Sequence, residues 1–167
     1  PHSYEASPAD AASVGTADLV IYNGAGYDGF VDLALENADD VPVVVDADAL
    51  AHVPAGVSQR VVMTPHAGEL ARMLGVEREA IEAAQLDHAR RAAAEWGCVV
   101  LLKGQHTLIA DPAGGTRVTT TGTPWLATAG AGDVLAGLIG AAECRSGAGD
   151  PRPCSAARKV QRFLREG

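Results

Sequence analysis

The sequence is poor in aromatic residues, in cysteine and in positive charge, and each shortage narrows the possible classes of protein. Aromatic residues make up 4% of the 167 residues, whereas hydrophobic residues make up 47% and Gly occurs 19 times. The core must therefore consist mainly of Ala, Val and Leu, as in a layered α/β protein. The net charge of −8 argues against a nucleic-acid backbone as a partner.

The cysteines and the apolar runs exclude further classes. Cys98, Cys144 and Cys154 form neither a disulfide framework nor a metal-ligand spacing. No apolar run is long enough to span a membrane, so we expect no membrane as a partner. The length suits one domain with a sizeable core. The chain begins at Pro1 rather than Met, so we expect it to be a fragment, and its lack of a signal peptide is uninformative.

The most informative stretch is residues 119–140, where a Thr/Gly turn precedes a Gly-Ala-Gly-Asp loop and an apolar helix. Gly130 and Gly132, on either side of Ala131, allow a ligand to approach the backbone closely. The first N–H groups of the helix lack intrahelical partners and favour a phosphate. Asp133 stands at the helix start, where a carboxylate is also a favourable N-cap, so that simpler interpretation stays open. From Val134 onwards we expect the helix to be buried.

Apolar runs and turn signals predict a largely parallel sheet with helices between its strands. Strand-like runs cover residues 18–23, where we expect a short buried strand, residues 41–50, an apolar run that leads into two carboxylates, and residues 60–63, 98–102, 106–110 and 116–120. The continuous apolar run before Asp46 is typical of a parallel strand that is buried on both faces. We predict an antiparallel pair around residues 102–120, a helix after residue 66 and one long helix over residues 77–96.

Several polar residues follow the predicted strands at the sheet edge where ligands bind in such folds. Asp46 and Asp48 follow one strand, His66 lies in the next strand-to-helix turn, and Lys103 ends a third, with Thr107 adding a hydroxyl. Simpler interpretations stay open: a helix cap or a solvated carboxylate for either Asp, a structural histidine, and a solvated lysine in a hairpin.

Residues 41–142 closely resemble the carboxyl-terminal part of the NAD(P)H-hydrate dehydratases, which are ribokinase-like repair enzymes. The motifs that carry the resemblance are VVVDADAL (43–50), TPHAGELAR (64–72), LKGQHT (102–107) and GTPWLATAGAGDVLAG (122–137). The resemblance implies a three-layer α/β, Rossmann-like sheet, truncated here at both ends. Together, four motifs in the family's order and spacing are specific for this family, although no single motif would be.

The resemblance also implies a reaction and its residues. The family restores NADH and NADPH from their hydrates, with ADP or ATP as phosphoryl donor. Asp133 would be the general base that acts on the substrate hydroxyl. Nucleotide would be bound by Lys103, Gly104, Thr107, Gly130, Ala131 and Gly132, and substrate by His66, Gly68, Asp46 and Asp133.

From the same resemblance we expect Mg²⁺ as a cofactor, a cytoplasmic location and a homo-oligomer, although no magnesium-specific motif is visible. An NAD(P)H-hydrate epimerase, as a domain or as a separate protein, is an expected partner. A vitamin or sugar kinase of the same fold is an alternative, because the Gly-x-Gly-Asp loop is shared with those enzymes.

The two ends of the chain suggest a different origin. PHSYE (1–5) and ADLVIYNGAGYD (17–28) resemble a zinc/manganese-binding protein of an ABC importer, in which His2 would be a metal ligand and the location periplasmic. Residues 143–167 carry a net charge of +3, against −11 for residues 1–142. We therefore expect a solute-receptor-like segment over residues 1–38, a dehydratase core over 39–142 and a basic, loop-like or disordered tail over 143–167. Such a chain would be chimeric or truncated.

Overall fold

Six short strands form one sheet in the residues that the computed structural model describes: 7–24, 41–57, 61–119, 132, 134–137 and 139. In chain order they are β1 (Val20–Tyr22), β2 (Val43–Val45), β3 (Val61–Met63), β4 (Val99–Leu102), β5 (Thr107–Ala110) and β6 (Thr116–Thr119). Each strand pairs with the next. The first four strands are parallel, and β5 runs antiparallel to both of its neighbours. The predicted parallel sheet with an antiparallel end is confirmed.

Helices lie between the strands. They are α1 (Pro8–Gly15), a 3-10 helix (Ala47–His52), α2 (Ala67–Leu74), α3 (Arg78–Ala83) and α4 (Gln85–Trp96). Residues 132, 134–137 and 139 are also helical, as predicted for the segment after the glycine loop. Among the described residues, no helix combines the length and the apolar character needed to cross a membrane.

The sheet is covered on both faces, which explains the continuous apolar character of its strands. Val43 and Val45 pack in one cluster with the buried residues of α2, α3 and α4. Val44, which points to the opposite face, packs in a second cluster with Ala136 and Ile139. Because successive side chains of a strand alternate between faces, a strand between two helical layers must be apolar at every position. The fold is thus the predicted three-layer α/β arrangement.

Three details differ from the sequence-based expectations. The helix predicted over residues 77–96 is two helices, because Ala84 leaves helical geometry (φ −141°, ψ 53°). In β1 the Ile21 side chain is 43% exposed, so this strand is only partly buried. Val134 is 63% exposed, although Ala136 and Ile139 of the same helix are buried. A helix against a sheet buries one stripe only, and Val134 lies outside it.

Candidate functional site

The carboxyl ends of β2, β3 and β4 meet at one edge of the sheet and bring the predicted polar residues together. Asp46 directly follows β2, and Lys103 directly follows β4. The Lys103 N–H donates to the Pro65 carbonyl at 2.8 Å, and Lys103 forms a parallel bridge with His66 after β3. Neighbouring parallel strands must end at the same edge, so residues far apart in sequence become neighbours here.

An ion pair between Asp46 and Lys103 lies at the centre of this edge. The Lys103 Nζ donates to Asp46 Oδ1 at 2.5 Å, and Asp46 is only 4% exposed. The Asp46 backbone N–H donates to the Tyr22 carbonyl at 2.9 Å, which fixes the residue against β1. Although Asp46 precedes the 3-10 helix, its side chain makes no capping hydrogen bond. Asp48 is exposed, as its solvated interpretation predicted.

Gly132 lies directly against this ion pair. A Cβ atom added to Gly132 would be 2.8 Å from Asp46 Oδ2 and 3.7 Å from Lys103 Nζ. Such a short distance means that any side chain at position 132 would displace the carboxylate. The glycine therefore allows this helical segment to approach the ends of β2 and β4 closely.

His66 and Glu69 form the second part of the site, at the start of α2. The Glu69 N–H donates to His66 Nδ1 at 3.1 Å, and the His66 N–H donates to Glu69 Oε2 at 2.7 Å. This reciprocal capping box satisfies two backbone donors of the helix start. The Glu69 carboxylate also lies 3.3 Å from His66 Nε2 and 3.9 Å from Lys103 Nζ. It thereby links the imidazole to the central ion pair.

A cleft of about 530 Å³ opens beside these residues. Its walls combine the site with the start of α3 and the turn after β4; they are formed by His66, Ala67, Gly68, Arg78, Glu82, Gln85, Lys103, Gly104 and Gln105. The Arg78 Nε donates to Glu82 Oε1 at 2.7 Å, and this hydrogen bond together with the charge of Glu82 raises the pKa of Arg78. Two cationic side chains thus line one open cleft, an arrangement suited to an anionic ligand.

Of the remaining predicted site residues, two line the cleft, one lies in β5 and the others fall outside the described residues. Gly68 and Gly104 line the cleft. Thr107 begins β5 opposite Thr119 and is half-buried. Asp133, Gly130, Ala131 and His2 lie outside the described residues, so their roles stay predictions.

Sequence reasoning missed two residues at this site. Glu69 contacts both His66 and Lys103, although the sequence predicted no role for it beyond its place in the TPHAGELAR motif. The usual capping-box signature has Ser or Thr at the cap, and His66 does not match it. Arg78 lines the cleft without belonging to any recognisable motif.

The described residues contain no cluster of three His, Cys, Asp or Glu side chains that could hold a metal ion. Asp46, the buried carboxylate of the site, is already bound by Lys103. Mg²⁺ is commonly held by one or two carboxylates together with substrate phosphates and water. The residues here therefore fit a magnesium ion that arrives with a phosphate ligand better than one held by protein alone.

The sheet order, the covered faces and the glycine approach define an α/β protein of the ribokinase-like class. A ribokinase-like superfamily protein from Enterococcus faecalis has a similar structure, with a TM-score of 0.71 and 25% identity over 90% of this chain and 54% of that one. The family model described as NAD(P)H-hydrate dehydratase matches residues 9–154. The chain belongs to the NAD(P)H-hydrate dehydratase family.

Two relatives show what share of a family member's length this chain covers. It is 41% identical to the bifunctional NAD(P)H-hydrate repair enzyme of Mycobacterium tuberculosis over 144 residues, which are 81% of this chain and 30% of that protein. The structure of the ADP/ATP-dependent NAD(P)H-hydrate dehydratase from Bacillus subtilis, co-crystallised with ATP/Mg²⁺ and soaked with CoA, matches with a TM-score of 0.69 and 28% identity. That match covers 91% of this chain and 59% of the Bacillus chain. The chain thus spans less than two thirds of the length of either relative.

The family match corrects the interpretation of the two ends. It begins at residue 9 and continues to residue 154, and so it runs through both junctions expected for a chimera. Moreover, β1 pairs in parallel with β2, with Val20 opposite Val43, so the amino-terminal strand completes the same sheet. The resemblance of residues 1–38 to a zinc/manganese-binding protein is therefore unsupported. The boundaries at residues 38 and 142 stay predictions.

Proposed function

We propose that this chain carries the nucleotide site and part of the substrate site of a dehydratase that returns NADHX and NADPHX to NADH and NADPH. The observation that carries the proposal is the ion pair of Lys103 and Asp46 beneath Gly132. This pair supports a ligand site at this edge of the sheet, because a cation lies beside a closely approaching helical glycine. Family membership supplies the reaction that this geometry would serve.

The proposed reaction begins with phosphoryl transfer from ADP or ATP. The hydroxyl oxygen of the hydrate attacks the terminal phosphorus, the bond to the leaving nucleotide breaks, and Asp133 takes the hydroxyl proton. The phosphate ester then leaves as inorganic phosphate while a proton is lost from the adjacent ring carbon, which restores the double bond. The products are NAD(P)H, inorganic phosphate and the nucleotide shortened by one phosphate.

Each part of the site has a task in this scheme. Lys103 and the helix start at Gly132 bind and orient the donor phosphates, and Gly130 and Ala131 would complete that loop. Gly104 and Thr107 contact the nucleotide, whereas His66 and Gly68 contact the hydrate. Bound Mg²⁺ would shield the charge of the phosphates. Phosphoryl transfer depends chiefly on such positioning and charge stabilisation.

The proposed partners follow from the family. The M. tuberculosis relative is named as a bifunctional repair enzyme, and we propose an NAD(P)H-hydrate epimerase domain or protein as the partner of this chain. Assembly into a homo-oligomer and a cytoplasmic location are also proposed.

The first experiment is a thermal-shift scan with ADP, ATP and NADPH, each with and without Mg²⁺. We expect a nucleotide to raise the melting temperature of the parent, because a ligand that binds only the folded state stabilises it. Lys103→Met should weaken ADP binding roughly 10-fold to 100-fold, the worth of a hydrogen bond to a charged group. Asp87→Asn, which changes an exposed carboxylate of α4, is the control. Equal shifts for the parent and Lys103→Met would contradict the proposed nucleotide site.

Turnover is the second experiment. With ADP or ATP and NADPHX, NADPH should form, and Asp133→Asn should lower the rate about 100-fold or more if Asp133 is the general base. Unchanged turnover in Asp133→Asn would exclude that role. A stable phosphorylated small alcohol as the product would instead identify a vitamin or sugar kinase.

A further inference from the structure

The Asp46 carboxylate is buried and is bound by a lysine of the same chain. Its Oδ1 accepts the hydrogen bond from Lys103 Nζ at 2.5 Å. Its Oδ2 faces Gly132, where an added Cβ would be 2.8 Å away. With only 4% of the residue exposed, little of this carboxylate can reach a substrate in the cleft. Asp46 is also absent from the lining of that cleft, whereas Lys103 is present.

Lys103, by contrast, both contacts the buried Asp46 carboxylate and lines the cleft. Its side chain is 23% exposed, lines the cleft and is bound from behind by Asp46. A second carboxylate, that of Glu69, lies 3.9 Å from Nζ on the side of α2. A lysine side chain has four rotatable bonds and loses considerable entropy when it is fixed. The pairing with Asp46 fixes this side chain before any ligand arrives.

We infer that Asp46 is a positioning residue that acts through Lys103, rather than the substrate-binding residue that its place after β2 suggested. Asp46 holds the ammonium beside Gly132, where Lys103 also lines the cleft. This inference rests on the proposed nucleotide site, but the pairing itself is a property of the ligand-free chain. Removal of the charge at position 46 should release Lys103 while leaving the shape of the site in place.

Amine labelling tests the pairing without any ligand. The sequence contains only two lysines, Lys103 and Lys159, so the ratio of their acetylation by acetic anhydride can be read directly from two peptides by mass spectrometry. We expect that ratio to rise several-fold in Asp46→Asn, because the Lys103 side chain is then no longer held against a buried carboxylate and can reach the reagent. Asp46→Ser is made in parallel, and circular dichroism selects the variant that retains the fold. An unchanged ratio in the folded variant would overturn the inference.

A matched control is available on the same sheet. Asp111 is also buried, and its Oδ1 accepts hydrogen bonds from the N–H groups of Ala113 and Gly115 in the turn between β5 and β6. This turn lies at the opposite edge from Lys103, because β5 runs antiparallel to β4 and pairs Ala110 with Val100. Asp111→Asn should therefore lower the melting temperature without changing the labelling of Lys103 or the affinity for ADP.

A double-mutant cycle on ADP affinity separates positioning from direct contact. We expect Asp46→Asn to raise the Kd for ADP roughly tenfold in the parent and to have no effect in the Lys103→Met background. The melting temperature should show the same dependence: Asp46→Asn should lower it in the parent but not in Lys103→Met, where the buried carboxylate has lost its cation. Equal losses of ADP affinity in both backgrounds would mean that Asp46 contacts the ligand itself, and would overturn the inference.

Failure of the proposed function can be distinguished from failure of this inference. If ADP neither binds the parent nor protects Lys103 from acetylation, the nucleotide site is wrong. The labelling ratio and the melting temperatures still decide whether Asp46 holds Lys103. If ADP binds and protects Lys103 but Asp46→Asn leaves both labelling and affinity unchanged, the nucleotide site stands and the positioning role is wrong.

Discussion

His66 and Glu69 form two hydrogen bonds with each other across the first turn of α2. In each of them, the backbone N–H of one residue donates to the side chain of the other. Because His66 Nδ1 accepts the Glu69 N–H, the proton of a neutral imidazole must lie on Nε2. That nitrogen is 3.3 Å from the Glu69 carboxylate. The same contacts therefore begin the helix and fix the tautomer of a residue that lines the cleft.

The first prediction concerns this capping box. Glu69→Ala should lower the free energy of unfolding by about 1 kcal/mol, because one half of the box is lost. Glu69→Gln should lose much less, since a glutamine oxygen can still accept the His66 N–H. Urea unfolding measures both variants. Equal losses for Ala and Gln would show that the charge matters rather than the cap.

A surface carboxylate provides the control for that comparison. Glu95 forms a 3.6 Å pair with Arg91 on the exposed side of α4. Glu95→Ala should change the free energy of unfolding by less than about 0.5 kcal/mol, because exposed ion pairs contribute little. A loss as large as that of Glu69→Ala would mean that the capping geometry adds nothing.

The sequence predicted the sheet better than the helices. The strands around Val44, Val62 and Val100 were recognisable because burial on both faces requires uninterrupted apolar runs. The break at Ala84 was not, since the residues around it are good helix formers and no Gly or Pro marks it. Its position depends on tertiary contacts, which single-sequence patterns do not contain.

The sequence predicted which residues lie at the site, but not which of them contact each other. Asp46, His66 and Lys103 could be assigned to one edge because parallel strands end together. Which carboxylate binds Lys103 depends on side-chain distances between β2, α2 and β4, and these are set by packing. For the same reason, Arg78 in the cleft wall could not be found from local pattern.

The second prediction compares two glycines of one helix. At Gly137 an added Cβ would have no atom of the described residues within 4 Å, so Gly137→Ala should stabilise the chain by about 0.5–1 kcal/mol through helix propensity. At Gly132 the Cβ would meet Asp46 Oδ2, so Gly132→Ala should not stabilise the chain and should weaken ADP binding. Urea unfolding and calorimetric titration with ADP measure the two effects. Equal behaviour of the two variants would contradict the close approach of Gly132 to Asp46.

The third prediction concerns the charge of the cleft. Arg78 lines the cleft and is paired with Glu82. Because ADP is an anion, Glu82→Gln should raise ADP affinity by roughly twofold to threefold by making the cleft more positive, and Arg78→Gln should lower it by making the cleft less positive. Both effects should shrink at high salt.

Another pair at the same spacing is the control for the cleft. Arg91 and Glu95 are also four residues apart but do not line the cleft, so Arg91→Gln should leave ADP affinity unchanged. If Arg91→Gln and Arg78→Gln weaken binding equally, the effect is one of net charge and not of the cleft.

The fourth prediction concerns Cys98, which is buried in the core beneath α4. Burial raises its pKa from 9.0 to about 12. The unfolded thiol ionises near pH 9, whereas the folded thiol stays protonated until about pH 12. This contribution to stability is therefore complete below pH 9 and is lost as the pH rises towards 12, by up to roughly 1.4 kcal/mol per pH unit. Cys98→Ala should remove that slope, which urea titrations between pH 8 and 10.5 measure.

Thiol labelling gives an independent measurement of the same burial. In a Cys144→Ser, Cys154→Ser background, Cys98 is the only thiol of the sequence. It should react with a disulfide reagent at pH 8 only as fast as the chain opens, because the thiolate is the nucleophile and is suppressed in the folded state. In urea, Cys98 should react with the reagent as fast as a free cysteine does. Rapid labelling of the folded chain would show that Cys98 is not enclosed between β4 and the helices.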